Sequence, residues 1–321
     1  MSPGGIGVFL DLRNPAPWRR PWADHYRQQL DLIVEAERLG AESVWVTEHH
    51  RFDDGYLPQP LVMAAAIAAR TTTIRIGTAI VQAPLRHPVH IAEEAAVVDL
   101  VSGGRLEVGL GAGYVEDEYR LFGADLDRRF GTTDATFAEV QRLLDEDGVT
   151  PPPLQRPFPL WLGYQGPRNA RRAGRLGAGL LSLNREAYEN YVGGLVEGGH
   201  DPASARVGGV VDLIVADDPD EAWPRIVPHY LHQLNSYREA SGGRPLTADE
   251  LGDRHAHGGA RVAVRLAVLS VDEAVDELDR RTAGLPVVHV YTWATVAGMP
   301  EDLSLRHLQL LLGPVRAALR R

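Results

Sequence analysis

Eight short apolar runs alternate along the chain with stretches of helical periodicity, and most of the runs end in glycine or polar residues. That alternation is the constraint that counts most. An apolar run of four to eight residues, flanked on both sides by helical patterns, reads as a parallel strand buried on both faces. Strand patterns fall at 6–11, 43–47, 74–80, 106–110, 160–163, 179–183, 207–215 and 287–291. Helical patterns fall at 24–39, 60–70, 88–101, 133–144, 168–176, 186–196, 219–239, 271–282 and 303–319. Eight βα units without a break predict one domain over 1–321, folded as an α/β (β/α)8 TIM barrel with insertion loops. An open doubly wound sheet is the competing arrangement. In either, chemistry collects where the strands end.

Composition narrows the function classes. The 321 residues are 44% hydrophobic, enough for a large core, and carry 33 basic against 43 acidic side chains. A net charge of −10 speaks against nucleic acid, whose binders need a basic face. The absence of cysteine excludes disulfides, thiolate nucleophiles and cysteine metal sites. The opening MSPGGIGVFLDL has no basic stretch before its apolar residues, and no apolar run reaches the roughly 18 residues of a membrane span. A cytoplasmic protein that binds no membrane is expected.

Three motifs sit at predicted strand ends. Glu48, His49 and His50 follow the second strand, where a carboxylate and an imidazole can bond a polar ring or move a proton. A surface loop or a capping histidine would read the same. The glycines of GLGAG (109–113) follow the fourth strand and permit close backbone approach by a flat ring or a phosphate. Their spacing fails the dinucleotide fingerprint. Gly163, Tyr164, Gly166, Pro167, Arg168 and Asn169 follow the fifth strand into a helix, whose first N–H groups suit a phosphate. Arg171, Arg172 and Arg175 read as a solvated face. His87 and His90 have a metal-like spacing without further ligands, and His255 and His257 lie in a Gly-rich stretch with no partner, so no metal is expected.

The blocks VWVTEHH, IRIGTAIV, GGRLEVGLGAG, EDEYRLFG and PLWLGYQGPRNARRAGRLGAGLLSL, in this order, resemble the luciferase-like flavin-dependent monooxygenases, the bacterial luciferase superfamily. The resemblance implies a barrel with a flavin at its C-terminal mouth, and it matches Glu48 and His49 to the family's strand-2 acid and catalytic histidine. It implies a cis peptide at Ala79-Ile80 beneath the flavin ring and a phosphate held by the segment from Gly166 to Asn169. Bacterial luciferase itself has a reactive cysteine and a phosphate-binding arginine where this chain has Gly111 and Ala112, so the phosphate falls to Arg168 and backbone amides.

The resemblance implies reduced FMN from a separate NAD(P)H flavin reductase, O2, a small organic substrate and a homodimer. His49 would act as acid, base or hydrogen-bond donor, with Glu48 orienting it or the ring. The alternatives are a deazaflavin coenzyme transferring hydride, and a non-catalytic flavin-binding barrel. Phe9, Trp18, Tyr56, Tyr114 and Trp293 are the expected substrate lining, which suggests an apolar or aromatic substrate. The Gly-rich stretch 240–259, with Gly242, Gly243, Gly258 and Gly259, is expected to be a mobile lid.

Overall fold

The structure is a computed structural model that describes residues 5–251, 254 and 266–320. Among these, the strands are β1 (Gly5–Leu10), β2 (Ser43–Val46), β3 (Arg75–Thr78), β4 (Val81–Gln82), β5 (Leu106–Gly111), β6 (Leu160–Leu162), β7 (Gly179–Leu181), β8 (Val207–Val210), β9 (Leu213–Val215), β10 (Ala267–Leu269) and β11 (Val287–Trp293). The helices are α1 (Trp22–Leu39), α2 (Pro60–Arg70), α3 (Pro88–Ser102), α4 (Glu116–Phe122), α5 (Arg129–Asp145), α6 (Pro167–Arg175), α7 (Arg185–Glu197), α8 (Pro219–Ala240), α9 (Ala248–Leu251), α10 (Val271–Thr282), α11 (Glu301–Leu310) and α12 (Arg316–Leu319).

The sheet runs β3, β2, β1, β11, β8, β7, β6, β5, β4, and β3 also pairs with β5. That last pairing closes the ring. β3 and β4 are two pieces of one stave, interrupted at the cis peptide bond Ala79-Ile80. The barrel therefore has the eight parallel staves that the alternation predicts.

Side-chain alternation builds two shells. Val8 and Leu10, Val44 and Val46, and Leu160 and Leu162 pack outward with the helices. The residues between them, Phe9, Trp45 and Trp161, join a second cluster with Tyr291 and Trp293. This is the period of two along a strand. Two indoles need space from the next strand. A Cβ on Gly77 would stand 2.3 Å from the Trp45 ring, and one on Gly179 2.3 Å from Trp161. Beside them lies a buried polar knot. Glu107 accepts from Arg75 Nε, from Trp161 Nε1 at 2.7 Å and from His289 Nε2 at 2.9 Å.

Local rules set many helix ends. α1 and α3 stop at Gly40 (φ 95°) and Gly103 (φ 68°). Pro88 opens α3, and its N-cap His87 accepts from Val89 N, so that ring serves as a cap. A full capping box, Ser270 with Glu273, starts α10.

Several elements depart from the sequence reading. The run 207–215 is not one strand: β8 stays in the barrel, and β9 leaves it to pair in parallel with β10. A continuous apolar run carries no mark of such a break. The helix α4 and the strand β10 were not anticipated, β11 continues to Trp293, and the last helical region begins at Glu301 with a π-helical turn at Leu311–Val315. The expected lid begins as structure. α8 ends at Ala240, Gly242 N bonds Glu239 O at 2.9 Å, and α9 follows. Gly258, Gly259, His255 and His257 lie outside the described residues. No described helix is long and apolar enough to cross a membrane.

Candidate active site at the barrel mouth

β2 delivers Glu48, His49 and His50 to the mouth, all buried. Their roles in the geometry differ from the expectation. Glu48 does not reach the His49 ring. Its Oε1 accepts from His50 Nε2 at 2.8 Å and Arg86 Nη2 at 2.9 Å, and its Oε2 accepts from Gln82 N at 2.8 Å. The carboxylate ties β2 to β4. The partner of His49 comes instead from α4: Glu118 Oε1 lies 2.8 Å from Nδ1. The same oxygen accepts from His50 N at 2.6 Å, and Oε2 accepts from Gln82 Nε2 at 2.9 Å. Burial pushes the Glu118 carboxyl up, but hydrogen bonds from His49, His50 and Gln82 outweigh it and leave its pKa below the usual range.

The motif EDEYRLFG by itself does not single out one of its three carboxylates. The distinguishing feature is burial, since Glu118 is 2% exposed while Glu116 and Asp117 face solvent.

Aromatic rings surround His49. Ring centroids lie at 4.9 Å for Phe52, 4.8 Å for Tyr56, 5.4 Å for Tyr114 and 5.9 Å for Tyr237. Behind Tyr56 and Tyr237 is Arg13, whose guanidinium carbon is 4.4 Å and 4.7 Å from those ring centroids. Arg13 is held by Asp11 at 2.9 Å, Asp54 at 2.5 Å and Ser236 at 2.6 Å. α8 adds His232 to Asp54 at 2.8 Å and Gln233 to Asp11 at 2.9 Å, so this helix is pinned over the mouth by a buried polar cluster. Burial raises the pKa of both phenols, whose oxygens lie 3.1 Å apart, and keeps them protonated. Arg13 and its aspartates were missed because, Asp11 apart, the partners of Arg13 lie some 40 and 220 positions away in sequence.

The glycines expected at a cofactor face Ile80. A Cβ on Gly111 would fall 2.6 Å from Ile80 Cγ1, and one on Gly163 2.4 Å from Ile80 Cγ2. Ala79 and Ile80 are half-buried and pack at the edge of the inner aromatic cluster, and Ala112, next to Gly111 in sequence, is buried. Next comes the entry to α6. Gly166 (φ 76°) is its N-cap with no side-chain cap, and Pro167 is in the first turn. The N–H groups of Arg168 and Asn169 are therefore orphans of the helix start. Arg168 and Asn169 line a cavity of about 750 Å³ with Arg128, Phe130, Thr132 and Arg172. Tyr164 does not face it. Its hydroxyl bonds Asp134 at 2.6 Å. Arg172 departs from the solvated face by reaching Asp134 at 2.5 Å, whereas Arg171 and Arg175 pair with Glu197 on α7.

The five expected substrate-lining residues do not converge. Tyr56 and Tyr114 flank His49, Phe9 and Trp293 pack with tilted rings at 4.6 Å in the inner cluster, and Trp18 packs on His229 of α8 at 4.0 Å. A cavity of about 670 Å³ opens beside His50, Phe52, Asp54, Glu118, His232 and Ser236.

Comparison with known proteins adds four findings. The family model described as "Luciferase-like monooxygenase" matches residues 6–279. The 4-hydroxyprotoasukamycin monooxygenase of Streptomyces nodosus subsp. asukaensis is 27% identical, with 94% of this chain and 89% of that protein covered. The oxygenase component of the flavin-dependent trigonelline monooxygenase of Acinetobacter baylyi is 29% identical over 52% of this chain, and the chain spans about half (52%) of its length. The crystal structure of monooxygenase RslO1 from Streptomyces bottropensis superposes with a TM-score of 0.80 at 23% identity, covering 98% of this chain and 99% of that one, which bears on the fold alone.

Proposed function

The chain belongs to the luciferase-like monooxygenase family, and from that premise we propose that it is an FMN-dependent oxygenase acting on a small organic substrate with O2. One observation carries the reading: the same end of a closed barrel presents a basic cavity on a helix N-terminus and a buried, carboxylate-bonded histidine walled by aromatic rings. The donor set fits the cofactor. Arg168 and the N–H groups of Arg168 and Asn169 match a phosphate dianion. Ala79, Gly111, Ala112 and Gly163 offer backbone and small side chains, with the Ile80 side chain packed against the two glycines, as the bed for a flat ring. When bound, reduced FMN supplies the electrons for oxygen activation.

The remaining work belongs to side chains. His49 accepts or returns a proton at Nε2. Phe52, Tyr56, Tyr114 and Tyr237 exclude water around it. Glu48 secures the floor by holding His50, Arg86 and the Gln82 amide. The family relative described as an oxygenase component supports a separate NAD(P)H-dependent reductase as partner. A cytoplasmic homodimer completes the reading. Val62 of α2 with Val97, Leu100 and Val101 of α3 form an exposed apolar stripe on the barrel's outer face, suited to a second copy.

The test uses chemically reduced FMN and reduced deazaflavin in parallel. Saturable FMN binding with oxygen uptake supports the oxygenase. Tight deazaflavin binding without oxygen uptake replaces it with hydride transfer, and FMN binding without turnover on any substrate panel points to a flavin carrier.

A further inference from the structure

We infer that Glu118 is the positioning residue of this site, fixing His49 with its proton on Nδ1 so that Nε2 is the nitrogen free to exchange a proton. The inference deepens the proposed function, because it rests on His49 being the proton-handling group.

The argument is a count of donors. Glu118 Oε1 receives the His50 N–H at 2.6 Å. Oε2 receives Gln82 Nε2 at 2.9 Å. The orientation of that amide is set by its neighbours, since Nε2 also lies 3.4 Å from the Glu48 carbonyl oxygen and both contacts are acceptors. A carboxylate meeting a donor at each oxygen has no proton of its own to give, and its lowered pKa agrees. The third contact, 2.8 Å to Nδ1, must then be a hydrogen bond in which the ring donates. A neutral imidazole has one N–H, so Nε2 carries the lone pair. The other candidate, Glu48, is spent on His50, Arg86 and the Gln82 amide.

The rings of Phe52, Tyr56, Tyr114 and Tyr237 hold the imidazole in place but do not distinguish its two nitrogens, and Glu118 supplies that choice. The support also reaches the cofactor side. Gln82 is fully buried two residues beyond the Ala79-Ile80 bond, so the chain segment that passes the expected flavin bed carries the amide that steadies Glu118.

The experiment reads the tautomer directly, with flavin-free protein and no turnover. Long-range ¹H–¹⁵N spectra of the wild type above pH 8 should show His49 protonated at Nδ1. In Glu118→Gln the amide brings its own N–H to a pocket of donors, and the Nδ1–H form should give way to Nε2–H or a mixture. Turnover should fall by roughly 10- to 100-fold, as for other groups that orient a functional histidine, with flavin affinity unchanged within twofold. Glu118→Asp, which keeps the charge, should restore the Nδ1–H signature and part of kcat. In a His49→Ala background Glu118→Gln should cost nothing further.

An Nε2–H His49 in the wild type overturns the inference even if the Gln variant fails to fold. So does a folded Glu118→Gln that keeps both tautomer and kcat. A correct tautomer in a protein without oxygenase activity leaves the positioning role standing and sinks the functional reading instead.

Discussion

Replacing Glu107 by Gln tests the buried knot inside the barrel. Three donors, from Arg75, Trp161 and His289, converge on this carboxylate, and its side chain is 5% exposed. Burial pushes its pKa up, but the hydrogen bond and charge of His289, followed by Arg75, overcome this and bring it from 4.5 down to about 2. Each tenfold change in proton affinity is worth about 1.4 kcal/mol, so the ionised form contributes on the order of 3 kcal/mol to folding. The native state binds the proton less tightly than the unfolded chain. The contribution is therefore complete above the unfolded pKa near 4.5 and is lost as pH falls through the folded value of about 2.

Gln has nearly the same shape but no charge, and it turns an NH2 toward donors. Urea unfolding of wild type and Glu107→Gln from pH 7 to pH 2.5 should show a gap of about 3 kcal/mol at neutral pH that narrows steadily below pH 4.5. Taking the difference between the two proteins cancels the other carboxylates, which both retain. A gap that stays constant across the range, or no gap at pH 7, would refute the assignment of an ionised Glu107 held by these three donors.

Other outcomes follow from the mouth and the outer face. His49→Ala should lower kcat by roughly 10²- to 10⁴-fold while leaving flavin affinity nearly intact, and unchanged turnover in steady-state assays would remove His49 from the chemistry. Arg168→Ala should weaken FMN more than riboflavin in fluorescence titrations, because only FMN carries the phosphate; equal losses would mean a disturbed α6 entry. Val97→Arg on the α3 stripe should shift the protein towards monomer in light scattering without changing its circular dichroism, and an unaltered mass would place any self-association elsewhere.

The barrel was legible because its evidence is local and repeated. Buried parallel strands must be apolar, helices must show one apolar stripe, and eight such pairs in series leave few topologies. The motif ends were legible for the same reason: a strand that finishes in EHH or GLGAG puts those residues at the mouth wherever the ring closes. Partnerships were not. Which carboxylate meets His49 depends on α4 folding back over β2, a contact between residues 69 positions apart, so Glu118 could not be told from Glu116 or Asp117 by spacing. Glu48, adjacent in sequence to His49, points along the loop to His50 and Arg86 because successive side chains leave a strand end on opposite sides. The break between β8 and β9, the docking of α8 through Arg13 and the dispersal of the five aromatic candidates have the same origin. Sequence pattern records whether a side chain is buried; its neighbour is chosen only when distant segments close on one another.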